Sequence, residues 1–497
     1  MQLVQNVPFF CIMLSMASAV TAAMLPKRVA RWWTVALSAV VLLLNVWLLT
    51  FLIPYGASYT YMMGHYPSPW GNELRAGVLE AVMGVAFSAI MLLSVLGGFK
   101  KIDEQIDDKK QNLLCVMLDL VLAALMSLVY TNDLFTGYVF IEILTLSSCA
   151  LIMARQNGHA MVAAMRYMIM SLLGSGLLLI AISLTYNLTG HLLMEPIKQS
   201  FAELAASGEY SQPITVIIGL FFVGLGIKSA LFPFHTWLAD AYGYATPSAS
   251  AVLSSLVSKA YLFLLVKIFY RVIGMDVVMG NQAMMLPFAF GVIGMIMGSL
   301  SAIHSHDLRR MIAFSSVAQI GYIYAGLGLG TTAGMVAAMY HLIMHSLAKS
   351  LLFISSSGLS DASGDSKRFA DLRGAGYRYP TAGMGFTVGA LSLVGVPLLG
   401  GFISKLCLAE AAFDVSGVRG WILLGALALS TLLNTLYFMH TVIGLYRKPR
   451  KGFEPQPFVK SRLMCVSVWV LAALNLLVGV FAQPVLNWIA QGLGMLA

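Results

Sequence analysis

Runs of about twenty predominantly apolar residues recur along the whole chain, each long enough to cross a bilayer. Fourteen are counted, at about 3–25, 33–54, 77–98, 113–131, 133–153, 160–186, 213–240, 245–270, 279–303, 308–330, 333–358, 381–412, 419–446 and 462–492. Lipid offers backbone N–H and C=O groups no partners, so such runs must close their hydrogen bonds internally, as helices. The chain is 59% hydrophobic and only 10% charged, against about 25% charged in soluble domains. The expectation is therefore an all-α polytopic membrane protein, its first apolar run a retained span.

The charges test that parse. The odd-numbered connectors, with the span ends beside them, carry 21 Lys and Arg, and the even-numbered ones four. Positive charge stays on the cytoplasmic side, so the odd connectors are expected there and both termini outside. This bias accounts for the net charge of +9 without nucleic acid as a partner. Connectors such as KKIDEQIDDKK are too short to be soluble domains. The five cysteines lie in apolar runs without CxxC spacing, and no phosphate-cradling or dinucleotide glycine motif occurs. No cofactor or metal is expected on this chain.

Five lysines remain inside spans: Lys228, Lys259, Lys267, Lys349 and Lys405. Intramembrane charge costs roughly 2.5–3.5 kcal/mol on insertion scales and marks ion or proton paths. Lys228 lies mid-span, five residues before Pro233, and His235 follows the break a near-whole number of turns later. Glu142 needs a partner in the middle of span five, and Lys228 is the expected one. Such a pair is an electrostatic switch, because parting it changes how firmly the lysine holds its proton. Lys259 shares its helix with serines, whereas Lys267, nearer the outer end, is expected to snorkel to the interface. His341, His345 and Lys349 follow at i, i+4 and i+8 and form one slowly drifting stripe. Lys405 follows Pro397 in span twelve, with Glu410 nearby. Asp119, Glu80 and His440 either line a path or meet a neighbouring subunit, and His235, Asp119 and Glu410 are further relay candidates. Asp240 is expected at a solvated helix end. A row of lysines and histidines anchored by one glutamate would thus run through the bundle parallel to the membrane, its output proton movement, with another cation a candidate for coupling.

Spans seven and twelve are both long and interrupted by proline, in SALFPFHTW and LVGVPLLGGF, and run in opposite senses by the charge count. They suggest two inverted five-helix repeats, spans four to eight and nine to thirteen. The expected divisions are 1–112, 113–271, 272–446 and 447–497.

The stretches YVFIEILTLSS, GLGIKSALFPFHTWLADAYGYATPSASAVLSSLVSKAYLFLL, HDLRRMIAFSSVAQIGYIYAGL, YHLIMHSLAKSLLFISS and SLVGVPLLGGFISK resemble the antiporter-like subunits shared by respiratory complex I, Mrp-type cation/proton antiporters and membrane-bound hydrogenases. The resemblance covers spans five to twelve in order and spacing. It implies fourteen helices in two inverted repeats. Glu142 looks like the family's fifth-helix glutamate and Lys228 like its lysine on the broken seventh. Lys259 takes the place of the eighth-helix lysine or histidine. His341, His345 and Lys349 match the eleventh-helix set, and Lys405 matches the terminal lysine of the broken twelfth helix. In length and motifs the chain is most similar to the D-type Mrp subunit and its hydrogenase counterparts.

The resemblance further implies a multi-pass subunit in a bacterial or archaeal inner membrane, working with other membrane subunits. Flavin, iron–sulfur or nickel–iron centres would belong to those partners; otherwise a cation gradient drives exchange. A stand-alone antiporter and a non-conducting anchor are the alternatives.

Overall fold

The computed structural model describes residues 2–66, 71–208, 210–280, 283–415, 417–449 and 457–496. Part of the basic loop after span thirteen, residues 450–456, lies outside the described residues. The chain is a helix bundle: α1 Val7–Met24, α2 Lys27–Tyr55, α3 Val78–Gln105, α4 Gln111–Tyr130, α5 Leu134–Met153, α6 Gly158–Thr189, α7 Ser211–Ser229 with a short second piece Leu238–Tyr244, α8 Pro247–Ile273, α9 Met285–Ile303, α10 Leu308–Gly328, α11 Thr332–Asp361, α12 in two pieces Pro380–Val394 and Gly400–Asp414, α13 Val418–Leu445, α14 Arg462–Val480 and α15 Ala482–Leu496. Among the described residues, thirteen helices are long and apolar enough to cross a membrane, and the two pieces of α12 make a fourteenth crossing. The last run is not one span of thirty residues. It ends at Val480, and α15 packs back on α3 and α11. A small antiparallel hairpin, Tyr59–Met62 with Glu73–Ala76, links α2 to α3.

Burial follows sequence. Hydrophobic side chains on all sides suit a helix with no lipid-facing stripe, and α8 and α11 are buried along their whole length, α10 nearly so. These three helices form the centre. Where α9 meets α10 the backbones touch: a Cβ on Gly291 would lie 2.4 Å from Ala325 N. Small residues at such crossings let membrane helices pack closely.

The two breaks share one design. α7 stops with Ala230 in the left-handed region (φ 62°), and Leu231 N–H donates to Gly226 O at 2.9 Å. The first piece of α12 stops with Gly395 at φ 94°, and Val396 N–H donates to Leu391 O at 3.0 Å. Each is a six-to-one capping turn, with proline two or three residues later to prevent the helix from resuming. Residues 230–237 and 395–399 are consequently non-helical. The run 213–240 is thus two helical pieces with the interruption expected at Pro233 between them.

Candidate functional site

The site starts where α5, α6 and α7 cross. Gly174 on α6 lets α7 approach, since a Cβ there would lie 2.8 Å from Gly224 O and 3.1 Å from Lys228 Cγ. Lys228 sits in the last turn of α7, and its side chain is fully buried. Its Nζ donates to Thr145 Oγ1 at 2.9 Å, lies 5.6 Å from the Tyr261 ring centre and stands 3.7 Å from Glu142 Oε1. Glu142 is 26% exposed and accepts a short hydrogen bond from Ser175 Oγ. The expected pair is thus in contact but not closed, because hydroxyls hold both partners.

Lys259 follows on α8, directly after a π-helical turn at Leu253–Val257. Its Nζ donates to Ser254 O, five residues back, and to Ser258 Oγ at 3.3 Å. A π turn leaves carbonyls out of the α ladder, and such turns recur at functional sites. Across the helix interface Ser254 Oγ meets Ser316 Oγ at 3.2 Å. Next along, Lys349 Nζ donates to Ile312 O at 2.7 Å and Ser315 Oγ at 2.6 Å, both on α10. His345 is one turn away. Neither of its ring nitrogens has a partner among the described residues. His341 stacks on His345 (6.1 Å between centres) and on Tyr322 (5.3 Å), with Nδ1 2.9 Å from Ser404 Oγ. Lys405 closes the row. Its Nζ donates to Val394 O, just before the α12 break, at 2.8 Å and to Thr431 Oγ1 at 3.2 Å, and lies 5.3 Å from the Tyr322 ring centre. Lys259 interacts electrostatically with His341, His345 and Lys349, and Lys405 with His341.

Lys228, Lys259, His341, His345 and Lys349 are therefore buried on α7, α8 and α11, with Glu142 beside Lys228 and Lys405 near His341. Among the described residues, no carboxylate is bonded to a lysine of the row beyond Lys228. Buried polar atoms are normally paired. Here His341 Nε2, both nitrogens of His345, and both amide atoms of Gln319 on α10 are buried without partners among the described residues.

Other candidates lie apart from the row. His235 falls in the non-helical stretch, stacked on Phe232 (5.3 Å), so a count of helical turns from Lys228 does not place it. Asp119 is buried and accepts from Ser18 Oγ of α1 at 2.6 Å, outside the row. Glu410 and His440 are exposed. Glu80 pairs with Arg75 of this same chain, at 2.5 Å. Lys267 does not snorkel. It is fully buried, and its Nζ donates to Val129 O at 2.9 Å and Thr131 O at 2.5 Å, where α4 runs out of N–H partners for its last carbonyls. Asp240 is not a solvated end; Arg166 and Arg310 hold it at 2.5 and 3.2 Å. Sequence reading missed the hydroxyl partners. Thr145, three residues after Glu142 on one helix face, was visible from spacing. Ser175, Ser315 and Thr431 come from other helices and carry no sequence signal.

Among known proteins, NADH-quinone oxidoreductase subunit N of Desulforudis audaxviator is 31% identical over 451 residues, covering 88% of this chain and 87% of that protein. The D-type subunit of the Na(+)/H(+) antiporter of Bacillus subtilis is 26% identical over 489 residues, covering 97% and 95%. A chain of the archaeal membrane-bound sulfane sulfur reductase superposes with a TM-score of 0.88 at 25% identity, covering 99% and 98%. A chain of the Mrp complex from Dietzia sp. superposes at 0.86 with 21% identity, covering 100% and 98%, and attests the fold. Residues 131–432, which hold Glu142 through Lys405, match the transmembrane family described as NADH:quinone oxidoreductase/Mrp antiporter, and the chain belongs to that family as an antiporter-like membrane subunit.

Proposed function

We propose that this chain conducts protons through the row Glu142, Lys228, Lys259, Lys349, His345, His341 and Lys405, as one membrane subunit of a larger complex. The observation that carries the reading is the half-open pair at its head. Lys228 bonds Thr145 while standing 3.7 Å from Glu142, so a small shift of α7 closes or parts two opposite charges. Parting or closing them changes the field on the next lysine, and the break after Ala230 gives α7 a place to move. At the other end, Lys405 lies beside the break in α12 and its ammonium donates to the freed carbonyl of Val394. Each end falls in a different five-helix unit, 113–271 or 272–446, which suits a repeat.

The names of the relatives, an oxidoreductase subunit and an antiporter subunit, support membrane partners of two kinds. Redox partners would hold the flavin, iron–sulfur or nickel–iron centres; otherwise a Na+ gradient is exchanged for protons. The distribution of basic residues supports both termini outside, in a bacterial or archaeal inner membrane. The test is proton uptake by inverted membrane vesicles carrying the assembled complex with Lys228→Ala. Loss of uptake is expected. Unchanged uptake with the complex assembled would leave the anchor reading in its place.

A further inference from the structure

Three cations from three separate segments meet at the end of one short helix. The second piece of α7 stops at Tyr244, just before Pro247 opens α8. Lys367 Nζ donates to Gly243 O at 2.9 Å, Arg155 Nη1 to Tyr244 O at 3.3 Å and Arg309 Nη1 to Ala245 O at 3.1 Å. Cations suit a helix C-terminus, so this part is capping. It leaves donors unused, since an ammonium has three N–H and a guanidinium five. Arg309 is 2% exposed and also donates from Nη2 to Ser250 Oγ at 2.9 Å, yet its Nε has no partner among the described residues.

All three side chains line one cavity of about 390 Å³ on the face that carries the basic connectors, with Lys101 and the carboxylates of Glu104 and Asp365 also in its wall. Lys101 is matched by Asp361, Asp365 and Glu104 at 2.5, 2.6 and 2.7 Å. The other three cations are not matched in this way. Burial, then the Arg309 guanidinium, holds Lys367 down to about 7; Arg155 adds to this, and Asp307 and Asp365 oppose it. Pro247, where α8 begins, is also in the wall, and a helix N-terminus favours anions.

We propose that this cavity binds a phosphoryl oxyanion through Arg155, Arg309 and Lys367. Guanidinium forks match phosphate oxygens in pairs. An anion would relieve the crowding of like charge among the three cations. The volume is far above that of one water, about 30 Å³, and suits a phosphate or a lipid headgroup rather than a halide. Two sources offer that chemistry: anionic phospholipid, and free phosphate in the aqueous phase.

The test uses the full chain in its purified complex, in nanodiscs of phosphatidylcholine, with thermal unfolding as the readout. One arm adds inorganic phosphate against chloride at equal ionic strength. The other replaces part of the lipid with phosphatidylglycerol. A rise in midpoint of about 2 °C or more is expected in at least one arm; the phosphate arm identifies a free anion and the lipid arm a headgroup. The rise should vanish in Arg309→Gln and in the double variant Arg155→Gln/Lys367→Gln. If Arg309→Gln does not assemble, the double variant decides. No rise in either arm, or an equal rise in the double variant, overturns the proposal.

Discussion

Removing the carboxylate of the Glu142–Lys228 pair alone should cost more than removing both charges. At 3.7 Å, two unit charges attract by about 4.5 kcal/mol at an effective dielectric of 20. Glu142 is a quarter exposed, and screening lowers that to roughly 2–4 kcal/mol. The two single variants are not equivalent. Lys228→Met leaves a carboxylate that keeps Ser175 and some solvent. Glu142→Gln leaves a fully buried ammonium with Thr145 as its bonded partner, and an uncompensated buried charge costs about 3–5 kcal/mol. The order of stability should therefore be wild type, then Lys228→Met and the double variant, then Glu142→Gln. The assay is thermal unfolding of the purified complex, run as a double-mutant cycle beside proton uptake in vesicles. All three variants should lose uptake. Stability effects that simply add, with no coupling between the sites, would refute the argument that these groups hold one another.

Other expectations follow from the same geometry. Lys349→Arg should impair proton uptake although it keeps the charge, because a guanidinium does not release its proton in this range; wild-type uptake by the variant would remove Lys349 from the path. Gly174→Ala should reduce uptake with the complex intact, since its Cβ must displace Gly224 or the stem of Lys228; a normal rate would mean that the α6–α7 crossing has slack. Lys367 gives a pH signature. Its folded-state value is near 7 and its ordinary value 10.5, so the unfolded chain binds more protons between those limits and stability rises with pH there. The stabilising effect of Lys367→Gln, in phosphatidylcholine nanodiscs without added inorganic phosphate, should be largest at pH 7 and below and fade toward pH 10; a pH-independent difference would contradict this. Ala230→Gly should be neutral or stabilising by up to about 1 kcal/mol, because glycine takes a positive φ without penalty, and a midpoint that falls by several degrees would show the methyl group to be needed.

Helix count, the two interruptions and the lysines of the row were legible because each is a local statement about solvent. A twenty-residue apolar run, a proline after a glycine-rich stretch, and a charge in the middle of either can each be read without knowing a neighbour. Lys267 and Asp240 were misread because their surroundings come from distant residues. Val129 and Thr131 offer Lys267 two carbonyls, and Arg166 and Arg310 bring counter-charge to Asp240. The hydroxyls of Ser175, Ser315 and Thr431 were invisible for the same reason. Serine in an apolar helix looks alike whether it bonds its own backbone or a lysine across an interface. The capping turns at 230 and 395 show the boundary well: proline announced that each helix stops, but not that it stops with a left-handed residue three or two positions earlier.

The π turn at Leu253–Val257 gives α8 one residue more than an α-helix of the same rise would hold. That surplus sets the azimuth of everything beyond it, at about 100° per residue, so Lys259 owes its direction to a local miscount in the winding. Such a dislocation can be handed along a helix turn by turn, each handover exchanging a few hydrogen bonds and swinging the side chains it passes. Deleting one residue within 253–257 should swing Lys259 away from Ser254 and stop transport in an assembled complex; transport at the normal rate after that deletion would mean that the winding of α8 is of no consequence to its lysine.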